Sequence, residues 1–179
     1  MSDDDLRFAD RPSTSVQRTI SADPATIWDR LTDITLPVAG SDELQHVTWL
    51  DGAEAPALGA RFRGDNASGD AEWSTTSVVT TCTPPTADHA GEFAWTVTIE
   101  PDAEPLVGLA TWGYEVEAVT GGTRVTQRVS VGPGRSGLTW AIRQNPTEES
   151  RIISGRLRWL RRGMDATLDA LATEFGSVD

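Results

Sequence analysis

The last third of the chain carries one long apolar stripe. Ile153, Leu157, Leu160, Met164, Leu168, Leu171 and Phe175 recur at steps of three and four, the spacing that gathers side chains on one face of an α-helix. Pro146 precedes it, Thr147 suits the N-cap, and Glu148-Glu149 suit the positive end of the helix dipole. A helix of about 27 residues is about 40 Å long. It has to bury its stripe against a surface of comparable length, and the sequence offers no second helix of that size.

The upstream sequence offers strands. Residues 14–20, 45–50, 60–66, 71–83, 92–100, 109–119 and 123–131 alternate apolar and polar side chains or have a β composition. Asp51-Gly52, Ala67-Ser68-Gly69-Asp70 and Thr120-Gly121-Gly122 supply turns between them. Between the first two strands, Asp23 is a good N-cap, Pro24 fits the first helical position, and Ile27, Trp28, Leu31 and Ile34 form a short helical stripe. The expectation is an α+β fold: a curling antiparallel sheet of about seven strands and one long C-terminal helix lying across it. Residues 1–12 and 176–179 are expected as tails around one domain spanning 13–175. Residues 132–146 are punctuated by Gly and Pro and hold Leu138, Trp140 and Ile142, and the stretch 132–137 is expected to form a flexible loop.

Composition narrows the function. In 179 residues the net charge is −12 and every one of the fifteen cations is Arg, so a nucleic-acid backbone is not an expected partner and lysine Schiff-base or Walker chemistry is excluded. Cys82 is the only cysteine and His46 and His89 the only histidines, so neither a metal site nor a cofactor is expected. No apolar run is long enough to span a bilayer and the acidic N-terminus is unlike a signal peptide; a cytoplasmic protein is expected. The seven tryptophans spread over the chain imply either a thick aromatic core or an aromatic-lined pocket.

Ile20-Ser21-Ala22-Asp23-Pro24-Ala25-Thr26-Ile27-Trp28, Val47-Thr48-Trp49-Leu50-Asp51-Gly52 and Gly59-Ala60-Arg61-Phe62-Arg63-Gly64-Asp65-Asn66 follow one another in order. Trp73, Phe93-Ala94-Trp95, Trp112-Gly113-Tyr114-Glu115-Val116 and Gly121-Gly122-Thr123-Arg124-Val125-Thr126 continue the series. From about residue 14 to 173 this pattern resembles the helix-grip (START-like) fold of the SRPBCC superfamily, and within it the actinobacterial polyketide cyclase/dehydrase-like branch. The resemblance implies a sheet gripping the C-terminal helix around an internal cavity for a hydrophobic small molecule. It does not imply one chemistry, because that fold hosts carriers, sensors, cyclases and hydrolases.

By alternation Phe62, Trp73, Trp95, Trp112 and Tyr114 share the concave face. They either line a cavity or fill the core. Asn66 and Gln127 fall on the same face, where a polar group needs a partner: structural, water or ligand. Arg156 sits at the edge of the helix stripe and could snorkel or reach a ligand anion, whereas Arg151, Arg158 and Arg162 should face water. These eight side chains, Phe62, Asn66, Trp73, Trp95, Trp112, Tyr114, Gln127 and Arg156, are the expected cavity-lining set. His46 and His89 are expected on the surface, leaving little support for a Ser-His-Asp triad. Gly132-Pro133-Gly134-Arg135-Ser136-Gly137 spells a dinucleotide fingerprint but lacks the parallel βαβ context that motif needs.

Three functions remain open. The first is binding of a hydrophobic or aromatic small molecule, lipid- or polyketide-like. The second is a polyketide aromatase/cyclase or dehydrase in which Tyr114, Gln127 or Arg156 polarises a carbonyl, although no catalytic residue is identified. The third is an interaction domain working through the basic helix face or a dimer interface, which predicts an exposed apolar patch including Trp140 or Trp159; a monomer or homodimer is expected. Residues 123–179 hold nine arginines against six carboxylates, the reverse of the remainder, which could steer an anion to that end.

Overall fold

The computed structural model describes residues 6–99, 102 and 107–178. Seven strands form one antiparallel sheet: β1 (Ser13–Ile20), β2 (Leu44–Trp49), β3 (Arg61–Ser68), β4 (Ala71–Thr83), β5 (Gly91–Thr98), β6 (Ala110–Val119) and β7 (Gly122–Val131). Their order across the sheet is β1-β7-β6-β5-β4-β3-β2. Consecutive strands from β2 to β7 are neighbours, so each connection is local, and β1 returns beside β7.

The helices are α1 (Pro24–Leu31), α2 (Gly137–Gln144) and α3 (Glu149–Phe175). Asp23 caps α1 by accepting hydrogen bonds from the Ala25 and Thr26 amides, as its place before Pro24 predicts. The expected apolar stripe of α3 is the buried one, with Ile153, Leu157, Leu160, Met164, Leu168 and Leu171 all in the core. The helix starts at Glu149 rather than Thr147 because Pro146–Glu148 form a 3-10 turn that tightens its first turn.

Three features depart from the sequence expectations. The Gly/Pro-punctuated stretch 132–146 holds a helix that the sequence reading did not assign, and 132–136 is loop. Helix α2 occupies 137–144, begun by a capping box in which the Ser136 amide donates to Thr139 Oγ1. The segment expected as a frayed tail is docked from residue 6 onward: the Phe8 amide donates to Glu149 Oε1 and the Phe8 ring packs on Gly132. Residues 1–5 lie outside the described residues. Gly176–Val178 also engage β1, where the Ser21 amide donates to the Gly176 carbonyl and Ser177 bridges Ile20. This contact covers part of the outer edge of β1, which would otherwise expose unpaired backbone groups.

Helix α3 is fixed on two sides. Arg18 on β1 pairs with Asp165 and Asp169 at 3.2 and 3.0 Å. On the other side the 3-10 segment Leu36–Gly40 lies against the helix at two glycines. A Cβ at Gly40 would stand 2.2 Å from Thr167 Oγ1 and 2.5 Å from the Gly163 carbonyl. Gly155, on the same helix, has nothing within 4 Å of an added Cβ. Among the described residues no helix is long and apolar enough to cross a membrane.

These two glycines give opposite predictions. Gly40→Ala forces backbone apart and costs at least about 2 kcal/mol. Gly155→Ala only removes unfolded-chain freedom and stabilises by about 0.5–1 kcal/mol. Urea unfolding of both variants should show shifts of opposite sign.

Candidate functional site

The strand register dictates where the interior is full and where it is open. Phe93, Tyr114 and Gln127 lie side by side on β5, β6 and β7, with Val16 beyond them on β1. One step along, Val79, Trp95, Trp112 and Val129 form a second inward row. In the third row Phe62 is followed by Ser77, Val97 and Ala110. In the next, Gly64 is followed by Thr75. Side chains as short as Ser77, Ala110, Gly64 and Thr75 cannot reach across to α3, so sheet and helix separate there. The space left is a cavity of about 1270 Å³. Its far wall is α3, through Leu160, Gly163, Met164 and Thr167, and α2 and the 36–44 segment flank it.

All eight residues singled out from the sequence border this cavity. Phe62, Trp95 and Tyr114 are buried and Trp112 half-buried. They form a continuous aromatic wall: Trp95 stacks on Trp112 with centroids 6.5 Å apart and planes 9° from parallel, and contacts Tyr114 at 5.7 Å and Phe62 at 6.1 Å. The choice between core and cavity is not exclusive, since the outer edge of the aromatic core is the inner surface of the cavity. Trp73 is 38% exposed and Trp140 63% exposed, which puts both at the mouth. Asn66 spends one donor locally, on the Gly64 carbonyl at 3.1 Å.

Arg156 does not reach into open space. Its guanidinium holds Glu43 through two hydrogen bonds of 2.9 and 3.0 Å and lies 4.4 Å from the centre of the Trp159 ring. A bidentate pair of this kind is geometrically restrictive, and it ties α3 to the segment leading into β2. Sequence reading found Arg156 but not its partner, because Glu43 lies in an irregular stretch without periodicity. Leu160 and Met164 were read as core and serve also as cavity wall. The α2 residues bordering the cavity were missed with the helix itself; Ser136-x-x-Thr139 was the available signal.

At the floor, Tyr114 and Gln127 are direct cross-strand partners, 1% and 2% exposed. The Tyr114 hydroxyl and Gln127 Oε1 are both buried without a hydrogen-bond partner among the described residues. Each such group costs about 1–3 kcal/mol, and two lie here on adjacent strands of one cavity wall, whereas the buried hydroxyls of Thr32, Thr123 and Thr167 are paired. Burial pushes the Tyr114 hydroxyl well above its ordinary value of 10.0, opposed by the positive charge of Arg30, so the phenol stays protonated and available as donor. His46 and His89 are exposed, as expected. The Gly132–Gly137 motif lacks the parallel βαβ setting of a dinucleotide site, because every strand pairing among the described residues is antiparallel.

No known protein-family model matches the sequence, and no curated protein matches it either. Solved structures do. A polyketide cyclase-like protein from Corynebacterium glutamicum is 24% identical, with 89% of this chain aligned to 88% of that one at a TM-score of 0.58. The ZhuI aromatase/cyclase from Streptomyces sp. R1128 is 14% identical over 89% of this chain and 93% of its own, at 0.59. The di-domain aromatase/cyclase StfQ of the steffimycin biosynthetic pathway is 14% identical at 0.63, and there the chain spans only 53% of the other's length. At these identities the likeness establishes the fold alone: a curved antiparallel sheet gripping a long C-terminal helix, as in these polyketide cyclase-like structures.

Two outcomes follow from the floor. Gln127→Met removes an unpaired buried carbonyl at similar volume, so without added ligand the variant should be more stable by about 1–3 kcal/mol in urea unfolding. Tyr114 is the only tyrosine, so tyrosinate absorbance near 295 nm reports it alone. The folded protein binds the phenolic proton more tightly than the unfolded chain. Stability should therefore be level below the ordinary tyrosine range and fall as pH rises above it, with tyrosinate appearing together with loss of circular dichroism rather than before it.

Proposed function

We propose that this protein binds a hydrophobic or aromatic small molecule, lipid- or polyketide-like, in the cavity between the sheet and α3. The observation that carries this reading is the cavity itself: about 1270 Å³ lying between sheet and helix, with aromatic walls. Protein interiors pack to crystal density with few voids, and small-molecule pockets are concave, mostly apolar spaces of about 300–1,000 Å³ with a few placed polar groups. In this reading Phe62, Trp95 and Trp112 contact the body of the ligand, Tyr114 and Gln127 its inner end, and Asn66 and Trp73 the part nearer the mouth. Arg156 serves as a strut of the rim, since its charge is already taken by Glu43.

A second reading, an aromatase/cyclase, is favoured by one observation: a protonated, unpartnered Tyr114 hydroxyl could donate to a substrate carbonyl as charge develops there. Proton abstraction also needs a base. The carboxylates bordering the cavity, Asp33, Asp42 and Glu43, all belong to the rim segment rather than the floor. Binding without turnover is therefore the better-supported function.

The neutral fluorophore N-phenyl-1-naphthylamine tests this. It should bind one per chain in the micromolar range and accept excitation energy from tryptophan. Ser77→Phe, which fills the middle of the cavity, should weaken binding at least tenfold while near-ultraviolet circular dichroism stays native. Absence of saturable binding to the unaltered protein would overturn the proposal. Conversion of an added poly-β-ketone thioester to a cyclised product, abolished by Tyr114→Phe, would replace binding with the cyclase reading.

A further inference from the structure

An apolar ligand alone leaves two features of the cavity without a role. At the floor Tyr114 and Gln127 border the cavity, and the Tyr114 hydroxyl and Gln127 Oε1 are buried there without a hydrogen-bond partner among the described residues. At the mouth, Arg135 and Arg143 border the cavity from either end of the α2 segment. Both are exposed, and the ion pairs among the described residues do not include them. The carboxylates of the rim are placed differently. Asp33 is held by Arg30 and Thr35, Glu43 is held by Arg156, and Asp42 is exposed on the same 33–43 stretch. The uncompensated positive charge at the mouth therefore lies on α2 and just before it, in a protein whose net charge is −12.

The floor is selective by its hydrogen-bonding capacity. A glutamine carbonyl oxygen only accepts, while a phenol both donates and accepts. A ligand hydroxyl has the capacity to satisfy both groups, donating to Gln127 Oε1 and accepting from the Tyr114 hydroxyl. A ketone oxygen would satisfy Tyr114 and leave Gln127 unpaired. A carboxylate would meet the negative end of the Gln127 dipole in a desolvated site. The mouth has the opposite preference: two guanidinium groups suit a carboxylate or similar anion that stays partly in water.

Resting on the cavity reading above, we propose that the ligand is a hydroxylated amphipathic acid. Its hydroxyl is buried against Tyr114 and Gln127, its apolar body lies along the Phe62–Trp95–Trp112 wall, and its anionic group stays at the mouth with Arg135 and Arg143. The two ends are recognised by separate residues and are separately testable.

Displacement of N-phenyl-1-naphthylamine by three chains of equal length gives the test: 16-hydroxyhexadecanoic acid, hexadecanoic acid and hexadecane-1,16-diol. The hydroxy acid should bind at least tenfold more tightly than the plain acid and at least threefold more tightly than the diol, and the second advantage should shrink as salt is raised. Tyr114→Phe/Gln127→Leu should abolish the first advantage and leave the second. Arg135→Gln/Arg143→Gln should abolish the second and leave the first. If the fluorophore binds but the hydroxy acid shows neither advantage, or only one, this assignment of ends is wrong while the cavity reading stands. If the fluorophore itself does not bind, both fall together.

Discussion

The structure depends on one mismatch. Helix α3 buries its apolar stripe against a sheet whose inward rows are bulky on one side and short on the other. Where Phe93, Tyr114 and Trp95 project, the interior is packed, and Trp28 of α1 joins their rings in edge-on and tilted contacts of 5.4 to 6.4 Å. Where Ser77, Ala110, Gly64 and Thr75 project, the two layers cannot meet. The helix is kept from collapsing into that gap by contacts at its sides: Arg18 with Asp165 and Asp169, Arg156 with Glu43, and the Gly40–Gly163 approach. The ion pairs are partly exposed and individually worth little. The glycine contact is steric and sets how close the 36–40 segment can come.

The same arrangement explains why the floor carries polar atoms that the fold does not need. A Met or Leu at position 127 and a Phe at 114 would pack there without an unpaired group. Keeping Gln127 and Tyr114 sacrifices stability at positions where the core is otherwise well made, which supports the binding role proposed for them. Burial keeps the phenol protonated, so the floor offers hydrogen bonds rather than charge.

Much of this was legible in the sequence because periodicity reports facing directly. The 3–4 stripe of α3 and the alternation of Phe62, Trp95, Trp112, Tyr114 and Gln127 put those side chains where the structure has them. What was not legible arose where periodicity breaks. A register shift between Val79 and Thr81 brings Cys82 opposite Phe93, and hence inward, although counting from Trp73 would turn it outward. Another, between Leu44 and His46, lets both Leu44 and Val47 border the cavity. Helix α2 is eight residues long with no fully buried side chain, too short and too exposed to leave a stripe. The Arg156–Glu43 pair joins residues 113 apart in the chain, which no local pattern can encode.

A single fluorine probe reaches the centre of this account. Tyr114 is the chain's only tyrosine, so incorporation of 3-fluorotyrosine places one 19F nucleus at the cavity floor. On titration with 16-hydroxyhexadecanoic acid its resonance should move or be replaced in a saturable, one-to-one manner, because the ligand's inner end lies against that ring. A resonance that stays put while fluorescence shows the ligand saturating the protein would mean that binding occurs elsewhere, and the floor would then be no more than an imperfect piece of core.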